Sequence, residues 1–275
     1  MSVAFYAVMT TACGLLWCHV FFWTPLPVSE FPLKFWILAA AAMFSNICYC
    51  FGLEGAYRRM DMSAAYPVVR SLPILMTAAV TCLFGIGRML SPTAILGMFV
   101  VFVGCAVMPL AKFSDFNIRN YWNVNMLFLL ISACGITGYT ILDSQAQQQL
   151  LPAAEALDVS RTVVSMTYYS VREVLLASSF TLTALCLPGE RRLWTGLIKD
   201  VKVTPVLAGF FDSLSYVAVL IAMNYVDNVS YVQVFRQIGL VFGLLAGVIV
   251  LKEKCTLTKI VGVVFILTGL VMTVL

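Results

Sequence analysis

Charged residues and histidine are scarce in this 275-residue chain, and both shortages exclude whole classes of protein. Asp, Glu, Lys and Arg make up 11% of the sequence, whereas a soluble domain carries about 25%. The single histidine, His19, leaves too few imidazoles for a histidine metal site or a Ser-His-Asp triad. The sequence also lacks a phosphate-binding P-loop, a GxGxxG turn and a basic domain. We therefore predict no enzyme activity, no catalytic residue, no metal or cofactor, and no nucleic-acid partner.

The nine cysteines do not change this prediction. The sequence contains no CxxC motif, and Cys48 and Cys50 lack both metal-site spacing and histidine partners. Nearly all the cysteines lie inside apolar runs, so we interpret them as small residues that fill helix interfaces.

Apolar sequence is what the chain has in abundance. Hydrophobic residues make up 61% of the chain, and its mean hydropathy is +0.96. Apolar runs of about 20 residues, the length that crosses a bilayer, recur between short polar turns. We predict an all-α polytopic protein with nine transmembrane helices in the cell membrane, either plasma or inner. The predicted spans are 3–24, 35–55, 64–86, 93–111, 124–144, 164–187, 204–225, 230–251 and 259–275.

Two similar segments lie at the beginnings of the third and eighth spans. DMSAAYPVVR runs from Asp61 to Arg70, and DNVSYVQVFR runs from Asp227 to Arg236, 166 residues later. Both place Asp and Arg nine positions apart. An offset of five spans, an odd number, means that the second copy faces the opposite way across the bilayer. This is the arrangement of a transporter built from an inverted repeat.

Paired glycines support the same division of the chain. Gly97 and Gly104 in the fourth span are echoed by Gly262 and Gly269 in the ninth, 165 residues later. We predict a first repeat of four helices over residues 1–112 and a second repeat of five helices over 123–275. Residues 113–122 connect them. If the repeats are copies, the helix that the first repeat lacks belongs before residue 3.

Two arginines inside the spans are candidates for substrate binding. A charge at bilayer depth costs about 2.5–3.5 kcal/mol, so it needs a partner or a function. Arg70 follows Tyr66 by one helical turn, and Arg236 is flanked by Gln233 and Gln237 on one stripe. We expect these five residues to line a polar cavity. The alternative is that the arginines reach the interface or pair structurally with intramembrane carboxylates.

Two aspartates complete the candidate site. Asp143 lies one turn after Tyr139, and Asp212 lies one turn before Tyr216. Such aromatic and charged pairs can line a cavity, and Asp143 is the candidate for carrying a coupling proton. The neighbouring Arg172 and Glu173 are interpreted as a local interface pair. The candidate substrate-binding residues are thus Arg70, Arg236, Tyr66, Gln233, Gln237, Tyr139 and Asp212.

Glycine and proline predict two scaffold features. Gly239, Gly243 and Gly247 form a Gly-x3-Gly-x3-Gly ridge, against which a neighbouring helix is expected to pack closely. Pro67 and Pro73 are expected to interrupt or kink the helix that carries Arg70.

Three segments resemble a known family. AYRRMDMSAAYPVVRSLP at 56–73 is similar to the AYRRGDLSxxYPxARGxxP segment of a bacterial branch of EamA-like transporters, in the drug/metabolite transporter superfamily. YTILD at 139–143 resembles that branch's YTxxD, and LKE at 251–253 its LxE turn. The resemblance covers essentially the whole chain. It implies ten helices in two inverted five-helix halves that move small metabolites or drugs, often outward.

The chain departs from this pattern in three respects. No segment of the sequence matches the family's first helix, so we expect the ten-helix inverted-repeat fold without that helix. Met60 and Ser71 replace two glycines. Gln237 stands where the branch usually has Glu after the arginine, which weakens an acidic coupling role at that position.

These observations predict a secondary transporter of a small polar or amphipathic metabolite, working by alternating access around a cavity between the repeats. Two arginines favour an anionic or zwitterionic substrate, and proton-coupled efflux through Asp143 is one mechanism left open. A cationic drug exporter, with Asp143 and Asp212 as counter-ions, is the alternative. A membrane-embedded lipid-modifying enzyme or a structural subunit are alternatives of other classes. The expected partners are a small-molecule substrate and the lipid bilayer, with a homodimer left open.

Overall fold

A computed structural model describes most of the chain. It covers residues 3–59, 62–108, 110, 124–199, 203–250, 252 and 255–275, without the side chains of 21, 62–68, 124–125 and 198–199. Several sequence features lie outside these residues, namely Met60 and Asp61, the connecting segment 113–122, and Leu251 and Glu253.

The described residues form helices and no strand, which confirms the all-α prediction. A short 3-10 helix, Val28–Glu30, follows the first helix. The α-helices are α1 (Val3–Trp23), α2 (Leu33–Tyr57), α3 (Met62–Phe84), α4 (Pro92–Val107), α5 (Val124–Gln148), α6 (Leu151–Ala156), α7 (Arg161–Cys186), α8 (Pro188–Lys199), α9 (Val203–Met223), α10 (Val229–Phe235), α11 (Ile238–Ile249) and α12 (Leu257–Val274).

Each predicted span coincides with one helix or, for the eighth, with the pair α10 and α11. Within the described ranges, six helical segments are long and apolar enough to cross a membrane. A seventh is reached if α7 and α8, bent by 118°, count as one span. Helix α4 is apolar but shorter. A polytopic membrane protein is therefore confirmed, whereas the count of nine spans is not.

Of the two effects expected at the prolines, an interruption or a kink, the structure shows no interruption. Helix α3 runs without a break from Met62 to Phe84, through both Pro67 and Pro73. In membrane helices, neighbouring groups and local backbone adjustments satisfy the carbonyl that a proline frees, so the helix can continue. The break lies instead in the eighth span, where α10 ends at Phe235 and α11 begins at Ile238.

The chain forms two compact units. One comprises Met1–Phe44 and Leu142–Tyr225, and the other comprises Ser45–Ile141 and Val226–Leu275. Each unit takes residues from both predicted repeats, and helices α2 and α5 contribute a part to each. The two compact units therefore do not correspond to the two predicted repeats.

In the first unit, helix α1 packs against α7, α8 and α9. The ring of Tyr6 stacks on Phe180 with centroids 5.5 Å apart, and Trp17 meets Tyr169 edge-on at 5.5 Å. Ser160 caps the N-terminus of α7, because its hydroxyl accepts a hydrogen bond from the backbone N–H of Val163. The aromatic contacts determine which face of α7 packs against α1.

In the second unit, the paired glycines are the contact points between α4 and α12. A Cβ added to Gly97 would lie 2.7 Å from the carbonyl oxygen of Gly269, and one added to Gly269 would lie 2.6 Å from that of Gly97. The corresponding distances for Gly104 and Gly262 are 2.8 and 2.9 Å. Only glycine permits so close an approach of two helix backbones.

The predicted glycine ridge on the eighth span behaves differently. A Cβ on Gly239 or Gly243 would meet no described atom within 4 Å, so no helix of the described chain packs there. The close approach occurs elsewhere in the same unit: a Cβ on Gly52 would lie 2.5 Å from the backbone nitrogen of Ser132 on α5. A Gly-x3-Gly spacing permits a neighbouring helix to pack closely, but it does not show that a helix packs there.

This contrast predicts opposite effects for two glycine substitutions. Gly104→Ala places a Cβ 2.8 Å from backbone atoms of Gly262 and Ile266, and we expect a loss of about 1–3 kcal/mol in stability from the overpacking. Gly239→Ala has open space and is the matched control, with an unchanged or raised unfolding temperature. Thermal unfolding in detergent measures both. Equal destabilisation by the two variants would contradict the close packing of α4 on α12.

Candidate functional site

The first unit buries a cluster of ionisable and aromatic side chains around Asp143. This side chain is fully buried (0% exposed) on α5. The Tyr168 hydroxyl donates a hydrogen bond to Oδ1 at 2.6 Å, and the Tyr216 hydroxyl donates to Oδ2. Nε of Arg172 forms an ion pair with Oδ2 at 3.4 Å. Three helices, α5, α7 and α9, therefore meet at one carboxylate.

Arg172 is shared between two carboxylates. Its Nη1 donates to Oε1 of Glu173 at 2.8 Å, besides its ion pair with Asp143. Its guanidinium carbon lies 4.4 Å from the centre of the Tyr216 ring, a cation–π arrangement. Both Arg172 and Glu173 are buried, with 4% and 3% exposure. Asp212 on α9 is exposed and close enough to interact electrostatically with Glu173.

The spacing on α7 builds this cluster. Tyr168 and Arg172 are four residues apart and form the stripe that meets Asp143. Tyr169 and Glu173 form the adjacent stripe. The Tyr169 hydroxyl is buried without a hydrogen-bond partner in the described part of the chain, and it interacts electrostatically with Glu173. The two pairs thus place the cation, Arg172, and one of its carboxyl partners, Glu173, on the same helix.

A polar network continues along α5 from this cluster. Gln147 lies one turn after Asp143 and is fully buried. Nδ2 of Asn224 donates to Oε1 of Gln147 at 2.9 Å and to Oγ of Ser165 at 2.8 Å. Nη1 of Arg161, the first residue of α7, donates to the backbone oxygen of Asn224 at 2.8 Å. Polar side chains therefore extend from the beginning of α7 to within one turn of Asp143.

A second polar cluster lies in the other unit, centred on Gln233. Its Oε1 accepts weak hydrogen bonds from Thr140 and from Nη1 of Arg236, both at 3.5 Å. Its backbone oxygen accepts one from Nε2 of Gln237 at 3.2 Å. Gln237 is buried, and its Oε1 has no hydrogen-bond partner among the described residues. The break between α10 and α11 falls at Arg236 and Gln237.

Arg70 and Tyr139 belong to the same second unit. Arg70 is half-buried on α3 and interacts electrostatically with Tyr49 and Cys105. The Tyr49 and Tyr139 rings meet at 5.9 Å. Tyr66 falls within α3, but its side chain lies outside the described residues.

The structure thus groups the predicted residues into two clusters. Gln233, Gln237 and Arg236 come together in one, and Asp143 contacts Tyr216 in the other. Arg172 and Glu173 form the local pair expected from the sequence, and Arg172 also ion-pairs with Asp143, a partner that the sequence did not indicate. The aromatic–charge spacing that singled out Asp143 is also present at Tyr168/Arg172 and could have identified it. No group of three or more His, Cys, Asp or Glu among the described residues could hold a metal ion.

Comparison with known proteins identifies a family and a fold. The family model for the EamA-like transporter family matches residues 125–275. No curated protein matches the chain significantly. A solved crystal structure is similar over 98% of this chain and 86% of that chain, with a TM-score of 0.64 and 14% sequence identity. At that identity the similarity establishes the fold.

Proposed function

Because this chain belongs to the EamA-like transporter family, within the drug/metabolite transporter superfamily, we propose that it moves a small polar or amphipathic metabolite across the cell membrane, plasma or inner. We propose a transport function rather than an enzymatic one. The family and the apolar helices support a multi-pass membrane transporter.

We propose that the mechanism is alternating access between inverted repeats. Support comes from the reciprocal contacts of α4 and α12. In the repeat, Gly97 corresponds to Gly262 and Gly104 to Gly269, so exchanging the two copies turns the Gly97–Gly269 contact into the Gly262–Gly104 contact. A two-fold axis between two antiparallel helices has this property. An inverted repeat in a membrane places such an axis in the membrane plane.

The Gln233 cluster carries the proposal for the substrate class. Gln237 presents a buried carbonyl oxygen without a described donor, and Arg236 lies beside it on the same broken span. A buried acceptor that lacks a partner is costly unless a ligand supplies a donor. A guanidinium binds a carboxylate, and an amide oxygen accepts from an ammonium group. The pair therefore fits a zwitterion better than a simple anion, and Arg70 and Tyr139 are proposed to take part in binding.

The ionic cluster in the other unit supports coupling to protons. A buried carboxylate at membrane depth is a functional candidate in a transporter. We propose that the cluster around Asp143 contains the proton-coupling site.

One observation favours a cationic substrate as the second candidate. Among the described residues, Arg172 pairs with two carboxyl groups, those of Asp143 and Glu173, and Asp212 interacts electrostatically with Glu173. An excess of negative charge would bind a cationic drug, with Asp212 as the most accessible counter-ion.

A thermal-shift screen of the purified protein against anionic, zwitterionic and cationic metabolites separates these candidates. We expect a zwitterion, such as an amino acid, to raise the unfolding temperature. Gln237→Leu should abolish that shift, because it removes the amide oxygen, while Gln145→Leu on the α5 surface should keep it. Stabilisation by cations alone, lost in Asp212→Asn, would instead establish the second candidate. No stabilisation by any class would favour a structural subunit.

A further inference from the structure

The charges around Arg172 do not balance. The side chains that face Glu173 are Cys13 from α1, Arg172 and Tyr169 from α7, and Asp212 from α9. Of these, Arg172 is the cation, and it is shared with the fully buried Asp143. Within the described residues, two buried carboxyl groups share one guanidinium, and a second negative charge there would cost several kcal/mol in a low-dielectric interior unless it is removed.

Asp143 has more hydrogen-bond donors around it than Glu173. Each of its oxygens accepts a hydrogen bond from a tyrosine hydroxyl, Tyr168 on Oδ1 and Tyr216 on Oδ2. Oδ2 also ion-pairs with Arg172. A carboxylate that accepts several hydrogen bonds is stabilised in its charged form. A proton on Asp143 would require one of these tyrosine hydroxyls to turn and accept a hydrogen bond instead of donating one.

Glu173 has weaker support for a negative charge. Within the described residues its carboxyl receives a hydrogen bond from Nη1 of Arg172. It also interacts with the buried hydroxyl of Tyr169, which forms no hydrogen bond shorter than 3.5 Å in that part of the chain. Asp212 adds a second negative charge on the neighbouring helix. A neutral carboxylic acid at Glu173 resolves the charge imbalance, and its hydroxyl can donate a hydrogen bond to the oxygen of Tyr169.

We propose that Glu173, rather than Asp143, is the carboxyl that binds and releases a proton in this unit. On release, the O–H bond of the Glu173 carboxyl breaks and the proton passes to water. Asp212, which interacts with Glu173, is exposed on α9, and we propose that water reaches Glu173 along this side of the helix. The resulting carboxylate keeps its bond from Arg172 and accepts a new one from Tyr169. This assignment rests on the proposed proton-coupled transport. It places the coupling proton on Glu173, whereas the sequence predicts it on Asp143.

Infrared difference spectroscopy of the protein in liposomes, recorded between acidic and alkaline buffer, tests the assignment directly. A protonated carboxyl buried in the protein gives a C=O stretching band that disappears on deprotonation. We expect this band in the parental protein, its loss in Glu173→Gln, and its retention in Asp143→Asn. Glu155→Gln, at an exposed position on α6, is the matched control and should retain it.

Two results would overturn the proposal. Retention of the band in Glu173→Gln with its loss in Asp143→Asn would assign the proton to Asp143. Absence of a titrating buried carboxyl band in the parental protein would show that neither group changes its protonation state in this pH range. If Asp143→Asn does not fold, the variant Glu173→Asp provides the test. A band that arises from residue 173 should change its frequency in this variant, whereas a band that arises from Asp143 should keep its frequency.

The spectroscopic test needs no substrate, so it fails independently of the transport proposal. A band that follows Glu173, together with no ligand in the thermal-shift screen, would retain the proton site and reject the substrate proposal. A bound zwitterion without such a band would retain transport and reject Glu173 as the proton carrier.

Discussion

Arg172→Leu is expected to lower the stability of the protein by about 3–5 kcal/mol, the largest effect of any single substitution in the first unit. The change removes the guanidinium that faces both Asp143 and Glu173. Asp143 would then be a fully buried carboxylate held by two tyrosine hydroxyls alone. Thermal unfolding in detergent, followed by the loss of the monodisperse peak in size-exclusion chromatography, measures the effect.

A surface ion pair provides the control. Arg88 and Asp227 lie 3.7 Å apart with 82% and 72% of their side chains exposed, so Arg88→Leu should cost less than about 1 kcal/mol. The double variant Arg172→Met with Asp143→Leu replaces the buried pair by apolar groups and should recover most of the stability. If that variant is stable but does not transport, the ion pair serves function. An Arg172→Leu protein as stable as the parent would show that the cluster does not carry these charges.

The helices could be predicted from sequence because hydropathy and length report the bilayer directly. Every predicted span coincides with helical structure. Their ends and breaks were harder to predict. The prolines at 67 and 73 leave α3 continuous, whereas the eighth span breaks at Arg236 and Gln237 without a proline. Backbone groups at that break are satisfied by short turn bonds, such as that from the N–H of Gly239 to the oxygen of Arg236, and composition gives no signal for them.

The candidate site could be predicted only in part, because sequence spacing reports neighbours on one helix and not partners on another. Sequence spacing pairs Asp143 with Tyr139, one turn away on the same helix, but its hydrogen bonds come from Tyr168 and Tyr216 on two other helices. Sequence spacing likewise pairs Arg172 with Glu173, the next residue along the chain, and does not reveal its ion pair with Asp143. The same limit applies to the glycines: periodicity marks Gly97 and Gly239 alike, and only packing distinguishes them.

Arg70→Ala and Arg236→Ala are each expected to abolish transport of an anionic or zwitterionic substrate while leaving folded protein in the membrane. Both arginines are half-buried on spans of the second unit, where the removal of a charge leaves room for solvent. Truncating one partner of a charged, hydrogen-bonded pair costs about 2–5 kcal/mol. At about 1.4 kcal/mol per tenfold, substrate affinity should fall by about 30-fold or more.

Lysine substitutions distinguish a binding arginine from a purely electrostatic one. A lysine retains the charge but not the planar fork that holds a carboxylate by two hydrogen bonds, so Arg70→Lys and Arg236→Lys should recover only part of the activity. Arg88→Ala, at an exposed loop position, is the control and should transport at the parental rate. Uptake into proteoliposomes, normalised to folded protein, measures all five variants. If Arg70→Ala and Arg236→Ala reduce expression and leave the transport rate per folded molecule unchanged, the arginines are structural, and the substrate must bind elsewhere.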